Sequence, residues 1–161
     1  MFSTAEQFWL GNQYLHYITD YSSTYTLVFE MGNKDRNEVR QQEYTGFVVM
    51  EEEIQFTFFF RNTPSTPLSG LPALGDCLSY LEHKPFITFD RDYYGNCMHR
   101  CAKVHGSGWW FGYFGCGCCN PNGVLVQSND GRRIGVDYEV FWTTDMTDWS
   151  PWYTEMWLES R

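Results

Sequence analysis

Residues 106–123 read GSGWWFGYFGCGCCNPNG. Six glycines, three cysteines, two adjacent tryptophans and three further aromatics stand here without a single charge. The glycines interrupt both the 3.6-residue period of an amphipathic helix and the two-residue period of a half-buried strand. A segment that pairs its own backbone so poorly implies an irregular, packed region held by cross-links or a bound ion, next to a binding site.

Outward from this stretch, the chain after Phe86 keeps the same texture of Gly, Asp, Asn, Cys and aromatic residues, so residues 86–150 are expected to be loop-rich. Five of the six cysteines, Cys97, Cys101, Cys116, Cys118 and Cys119, fall in this half, and Cys77 stands apart. An even number suits a secreted, disulfide-linked domain. The set Cys97, Cys101, Cys116 and Cys119 also has the spacing of a zinc ribbon, which keeps an intracellular zinc protein open as the alternative.

The first 60 residues read mainly as strands. YLHYIT (14–19), TYTLVFEM (24–31), YTGFVVM (44–50) and IQFTFFF (54–60) are rich in aromatic and β-branched residues with partial alternation, and GNKDRN (32–37) separates two of them as a turn. Residues 61–76, RNTPSTPLSGLPALGD, hold three prolines and form a long loop ending in a short helix. Residues 154–159 return to the sheet as a last strand. The 161 residues make one domain, 1–161, with sheet-forming parts at 1–60 and 154–159.

Aromatics make up 19% of the chain, enough to build a core and line a recognition surface. The net charge of -9 argues against a nucleic-acid partner, which needs a basic surface to displace counterions. No apolar run is long enough for a membrane span, so no membrane insertion is expected, and MFSTAEQFWLG lacks the pattern of a signal peptide.

Several residues carry candidate chemistry. TFDRDYYGN (88–96) sets Asp90 and Asp92 two apart in a loop, where alternate carboxylates and carbonyls can converge on a calcium ion, but D-x-D is common in plain surface turns and without a complete EF-hand loop the spacing alone favours that plainer reading. His99 and His105 bracket the cysteines without an assignable orienting carboxylate, so a cysteine hydrolase is a remote reading. Trp109 and Trp110 read as core with one ring flanking a pocket. No phosphate cradle or nucleophile elbow is present, and no enzyme is expected.

The ordered set FWLGN (8–12), GDCLSY (75–80), KPFITFDRD (84–92), GNC (95–97), CAKVHGSGWW (101–110), NPNG (120–123) and TEMWLE (154–159) resembles the fibrinogen-related domain of fibrinogen chains, ficolins, tachylectins, tenascins and angiopoietins. The resemblance runs along the whole chain but lacks the small N-terminal subdomain with which members usually begin. It implies an α+β fold of the fibrinogen C-terminal type, with an antiparallel β-sheet core and a loop-rich, calcium-binding C-terminal subdomain.

The same resemblance implies a calcium set of Asp90 and Asp92 with carbonyls of Tyr94 and Asn96. It implies a disulfide from Cys101 to Cys116, with Cys97 as the rival for Cys101, and a cis peptide at Arg100–Cys101. Cys77 is matched with one of the extra cysteines, Cys118 or Cys119. The pocket would be shaped by Arg100, His105, Trp109, Trp110, Gly117 and Tyr138, with Arg133 and Ile134 as further stand-ins; Gly117 stands where lectin members commonly carry His. The function implied is an extracellular, innate-immune type of recognition domain that binds acetylated glycans. The alternative is a protein-interaction module of the fibrinogen and angiopoietin kind. Either would be secreted and oligomeric through a stalk elsewhere in a parent protein.

Overall fold

The computed structural model describes residues 8–22, 24–33, 37–62, 64, 66–93, 100–112, 116–125, 140–142, 151 and 153–160. In chain order its elements are α1 (Asn12–Ile18), β1 (Tyr25–Asn33), β2 (Glu38–Thr45), β3 (Val48–Val49), β4 (Phe58–Phe59), α2 (Cys101–Val104), β5 (Cys119–Asn120), β6 (Phe141–Trp142) and β7 (Tyr153–Ser160). Single-turn 3₁₀ segments lie at Glu52–Ile54 and Leu78–Tyr80.

The main sheet has the order β2-β1-β7 and is antiparallel throughout. Alternation in β1 explains it: Leu27, Phe29 and Met31 point into the main core, while Val28 and Glu30 point to the opposite face with Trp157 and Glu155 of β7 across from them. Gly32 lies opposite Tyr153, and a Cβ there would fall 2.0 Å from the Tyr153 ring. Glycine thus lets that ring cross β1, so that its hydroxyl donates to Glu30 at 2.7 Å.

The chain leaves β2 at Gly46, in the left-handed region (φ 73), and re-enters as β3, which pairs with β4. Phe47, Val49 and Phe58 continue the core there, and Phe29 meets Trp109 and Trp142 at 6.3 and 5.1 Å. The core therefore lies between one sheet face and the loop-rich half.

Two expected strands depart from expectation, one wholly and one in part. YLHYIT lies in and just beyond α1: the buried side follows a spacing of four, with Leu15 packed on the core and Thr19 fully buried. The Thr19 hydroxyl donates to the Leu15 carbonyl and accepts the Val49 N–H, which fastens the helix end to β3. FWLGN leads into this helix, with Gly11 as its N-cap, and is not a strand. IQFTFFF contributes only Phe58–Phe59, because Gln55 and Phe56 both adopt left-handed backbone (φ 60 and 49) and fold the chain over Glu51–Glu52.

Residues 67–74 strap the outside of β2. Gln41 exchanges backbone bonds with Pro72 and Leu74, Ser69 donates to the Gln41 side chain at 2.6 Å, and the Leu68 N–H donates to Glu43 at 3.0 Å. The described residues contain no helix long and apolar enough to cross a membrane.

Candidate functional site

The loop-rich half is built on backbone bridges and side-chain clamps in place of long strands. Ile87 and Trp109 exchange N–H···O bonds at 2.9 and 3.1 Å, anchoring the tryptophan pair beside the Thr88–Arg91 turn. The asparagines of NPNG then supply what backbone pairing does not: the Asn120 amide donates to the Ser107 hydroxyl at 2.9 Å, and Asn122 donates to the Gly108 carbonyl at 2.9 Å. Gly108 is needed for a close approach, since a Cβ there would lie 2.9 Å from the Phe86 ring.

Cys101 and Cys116 are disulfide-bonded, with Cα atoms 5.4 Å apart, and join α2 to the bridge between Gly112 and Cys116. Cys116 and Gly117 are both left-handed (φ 64 and 98), and a Cβ on Gly117 would lie 2.9 Å from the buried Leu81 side chain. Cys77 sits within disulfide reach of both Cys118 and Cys119, at Cα separations of 5.7 and 6.1 Å, and bonds one sulfur at a time. This grouping undoes the zinc-ribbon set, because Cys101 and Cys116 are bonded to each other and Cys119 faces Cys77. Cys97 lies outside the described residues. No cis peptide occurs among the described residues, so the Arg100–Cys101 bond is trans, contrary to expectation.

The expected pocket residues separate into two groups. Trp109 and Trp110 are 1% and 4% exposed and belong to the core, where their rings meet at 5.0 Å. The His105 ring, in a residue 9% exposed, stacks on Phe111 at 5.3 Å and touches Phe141 at 5.1 Å. Arg100 stays exposed ahead of α2. Tyr138, Arg133 and Ile134 fall outside the described residues.

The carboxylate turn has the reverse character. Asp90 is exposed and accepts the Thr88 hydroxyl at 2.7 Å, which holds its carboxyl below the usual range together with its own backbone N–H and the nearby Arg91. Asp92 is half-buried. Arg91, lying between them in sequence, swings away to Glu52 and over Tyr93, so its charge is spent elsewhere. Tyr94 and Asn96, the two expected carbonyl ligands, lie outside the described residues. Phe89, 82% exposed, and the exposed Tyr93 flank the turn.

Residues 2–160 match the family described as fibrinogen beta and gamma chains, C-terminal globular domain. The chain belongs to that family. Among curated relatives, bovine angiopoietin-1 is 30% identical over 138 residues, covering 84% of this chain and 25% of the relative. Human fibrinogen alpha chain is 33% identical over 138 residues, covering 83% and 15%. Mouse angiopoietin-related protein 7 is 31% identical over 134 residues, covering 81% and 35%. The chain thus spans between a seventh and about a third of these relatives. Among solved structures, the fibrinogen-like globe domain of human ANGPTL2 superposes with a TM-score of 0.73 at 23% identity, over 94% of this chain and 65% of that one. A lamprey fibrin D-dimer, complexed with the peptide ligand Gly-His-Arg-Pro-amide, gives 0.73 at 23%, over 97% and 51%. The fibrinogen-like fold expected from sequence is therefore the observed one.

Several residues of this fibrinogen-like site escaped sequence reasoning. Tyr44 lies in β2 but its hydroxyl accepts the N–H groups of Cys77 and Leu78 at 3.2 and 3.3 Å, fixing the backbone that carries the second cysteine centre. Leu81 and the Arg91–Glu52 pair depend on chain segments brought together only by the fold. The asparagines of NPNG were legible as a motif, not as clamps.

Proposed function

We propose that this domain is an extracellular protein-recognition module of the angiopoietin and fibrinogen type, with its carboxylate turn ordered by calcium. The observation that carries the reading is an inversion of exposure. The aromatics that would wall a sugar pocket, Trp109, Trp110 and His105, are packed inside, while Phe89, Tyr93 and Tyr80 stand outward. Outward-facing rings suit contact with a protein surface, whereas a sugar cup needs them around a hollow. Leu81 supports the same reading: at Gly117, where lectin members commonly carry His, the backbone is left-handed (φ 98) and a Cβ would lie 2.9 Å from the Leu81 side chain, so a larger residue is disfavoured there.

Asp90 and Asp92 supply the carboxylates for calcium in this reading, and Tyr94 and Asn96 their family carbonyls. Bound calcium would order the turn and hold Phe89 and Tyr93 in place. Disulfides and the secreted relatives support an extracellular setting.

Retention on immobilised N-acetylglucosamine and on a panel of immobilised receptor ectodomains, each in calcium and in EDTA, tests the proposal. The expected result is no retention on the sugar and calcium-dependent retention on a protein, lost in Phe89→Ser. Retention on the sugar with elution by free acetylated sugar would restore the lectin reading and overturn this one.

A further inference from the structure

The segment from Phe8 to Thr19, FWLGNQYLHYIT, holds no Asp, Glu, Lys or Arg in a chain whose net charge is -9. Its aromatic rings nevertheless stand in water: Phe8, Trp9, Tyr14, Tyr17 and the nearby Tyr21 are each 63% to 82% exposed. Helical spacing explains the arrangement. Leu15 and Thr19, four apart, take the inward side of α1, so Tyr14, Tyr17 and Ile18 form an outward stripe at i, i+3 and i+4. Tyr21 follows at i+7, just beyond the end of the helix.

The stripe stands on a fixed base. The His16 Nδ1–H donates to the Val49 carbonyl at 2.8 Å, and the Val49 N–H donates to the Thr19 hydroxyl at 2.9 Å. The Tyr21 hydroxyl donates to the Met50 sulfur at 3.3 Å, and the Arg61 guanidinium donates to the Tyr21 carbonyl. The face is therefore presented without further ordering, with Asp20 and Arg61 as a charged rim at one end. Five rings of about 200 Å² each, so exposed, leave on the order of 700 Å² of aromatic surface in water. The largest apolar patch of a typical monomer is about 300–600 Å², whereas each partner in a standard interface buries roughly 800 Å².

We propose that this face is a two-fold interface between two copies of this chain, with α1 of one protomer crossing α1 of its partner. Area and charge select this occupant. Two chains of net charge -9 repel over most of their surfaces and meet at least cost where neither carries a formal charge. A strongly charged partner of either sign would find no counter-charge along the stripe. The tyrosines are also self-complementary, since a phenol both donates and accepts a hydrogen bond. Across a two-fold axis, Tyr14 of one protomer meets Tyr17 of its partner, and the reverse. The face shares no residue with the carboxylate turn, so its test reads independently of the function proposed above.

Sedimentation equilibrium of the full chain over about 1–100 µM tests the proposal. A monomer–dimer equilibrium is expected, tightening as salt rises, because salt screens the repulsion between like-charged chains and leaves the aromatic contact intact. Tyr17→Glu is expected to weaken the dimer about tenfold or more, since the symmetry sets the new carboxylate on both sides of the contact. Tyr14→Ser is expected to weaken it about fivefold. Both positions are exposed, so the variants fold as the wild type does. Tyr80→Glu makes the same change of charge at an exposed ring outside this face and is expected to alter the dimer less than about twofold. A wild-type chain that stays monomeric up to about 100 µM would overturn the proposal, leaving the face to a partner of another kind. Equal weakening by Tyr17→Glu and Tyr80→Glu would also overturn it, as would a dimer that loosens when salt is added.

Discussion

The indole N–H of Trp110 donates to the backbone carbonyl of Phe56 at 2.6 Å, joining the loop-rich half to the turn where Gln55 and Phe56 hold left-handed backbone. Removing that donor leaves a largely buried carbonyl without its partner and two unfavourable backbone conformations without their tie. Trp110→Phe is expected to lower stability by about 1–3 kcal/mol in urea unfolding. Trp109→Phe is the control: its indole N–H has no hydrogen-bond partner among the described residues. It should therefore cost about 1 kcal/mol less than Trp110→Phe.

Tyr44→Phe is expected to destabilise by about 2–4 kcal/mol, since the Cys77 and Leu78 N–H groups both lose their acceptor inside the core. The alkaline limb gives a second readout. Burial, reinforced by nearby Asp76, raises the Tyr44 phenol well above its ordinary value, and burial with Glu30 raises that of Tyr153. A group whose folded pKa is raised stabilises fully below its unfolded pKa, and that stability is lost as pH rises above it. Folding stability should therefore decline above about pH 10, with the last phenolate absorbance at 295 nm appearing together with unfolding. Two tyrosines titrating with the exposed ones would contradict this.

The disulfides give separable outcomes. Replacing Cys101 and Cys116 together by Ala is expected to cost about 3 kcal/mol, the chain-entropy value for a loop of their separation of 15. At the second centre, Cys118→Ser should preserve a Cys77–Cys119 cross-link and Cys119→Ser a Cys77–Cys118 cross-link in peptide mapping without reduction. Loss of every Cys77 cross-link in either single variant would contradict the shared geometry.

Calcium is expected to raise the melting temperature of the wild-type domain by several degrees, and Asp90→Ala to abolish that rise. Because Thr88 holds the Asp90 carboxyl below its usual range, the calcium effect should persist at mildly acidic pH and fade only as Asp90 protonates below the ordinary carboxylate value. An identical melting temperature in calcium and EDTA for the wild type would remove calcium from the function proposed here.

The sequence made β1 and β7 legible because TYTLVFEM and YTEMWLE alternate and tolerate burial on one face at a time. It made α1 illegible for a related reason: six residues rich in aromatics carry strand propensity, and only the burial of Leu15 and Thr19 on one side shows the longer period. The Cys101–Cys116 pair followed from the motif order around it. The expected match of Cys77 with Cys118 or Cys119 is likewise the observed grouping, while the part played by Tyr44, which brings residues 77 and 78 to that meeting from another strand, was not legible because it depends on which segments meet. Exposure was the least legible property. Trp109 and Trp110 read as core and pack there against Phe29 and Phe58, but the ring expected to flank a pocket and His105, stacked on Phe111, lie inside as well.

β1 has one neighbour made immediately after it and another made at the far end of the chain, with Tyr25 paired to Ser160. During synthesis the β1–β2 hairpin therefore waits with an open edge while the intervening segment is built, on the order of 6–25 s at ordinary translation rates. Throughout that interval the edge can accept any strand that arrives, and the hairpins of neighbouring nascent chains are equally available. The price of closing a sheet with its last strand is a folding yield that depends on how crowded the ribosomes are. Slowing initiation, without altering one residue, should raise the fraction of soluble domain.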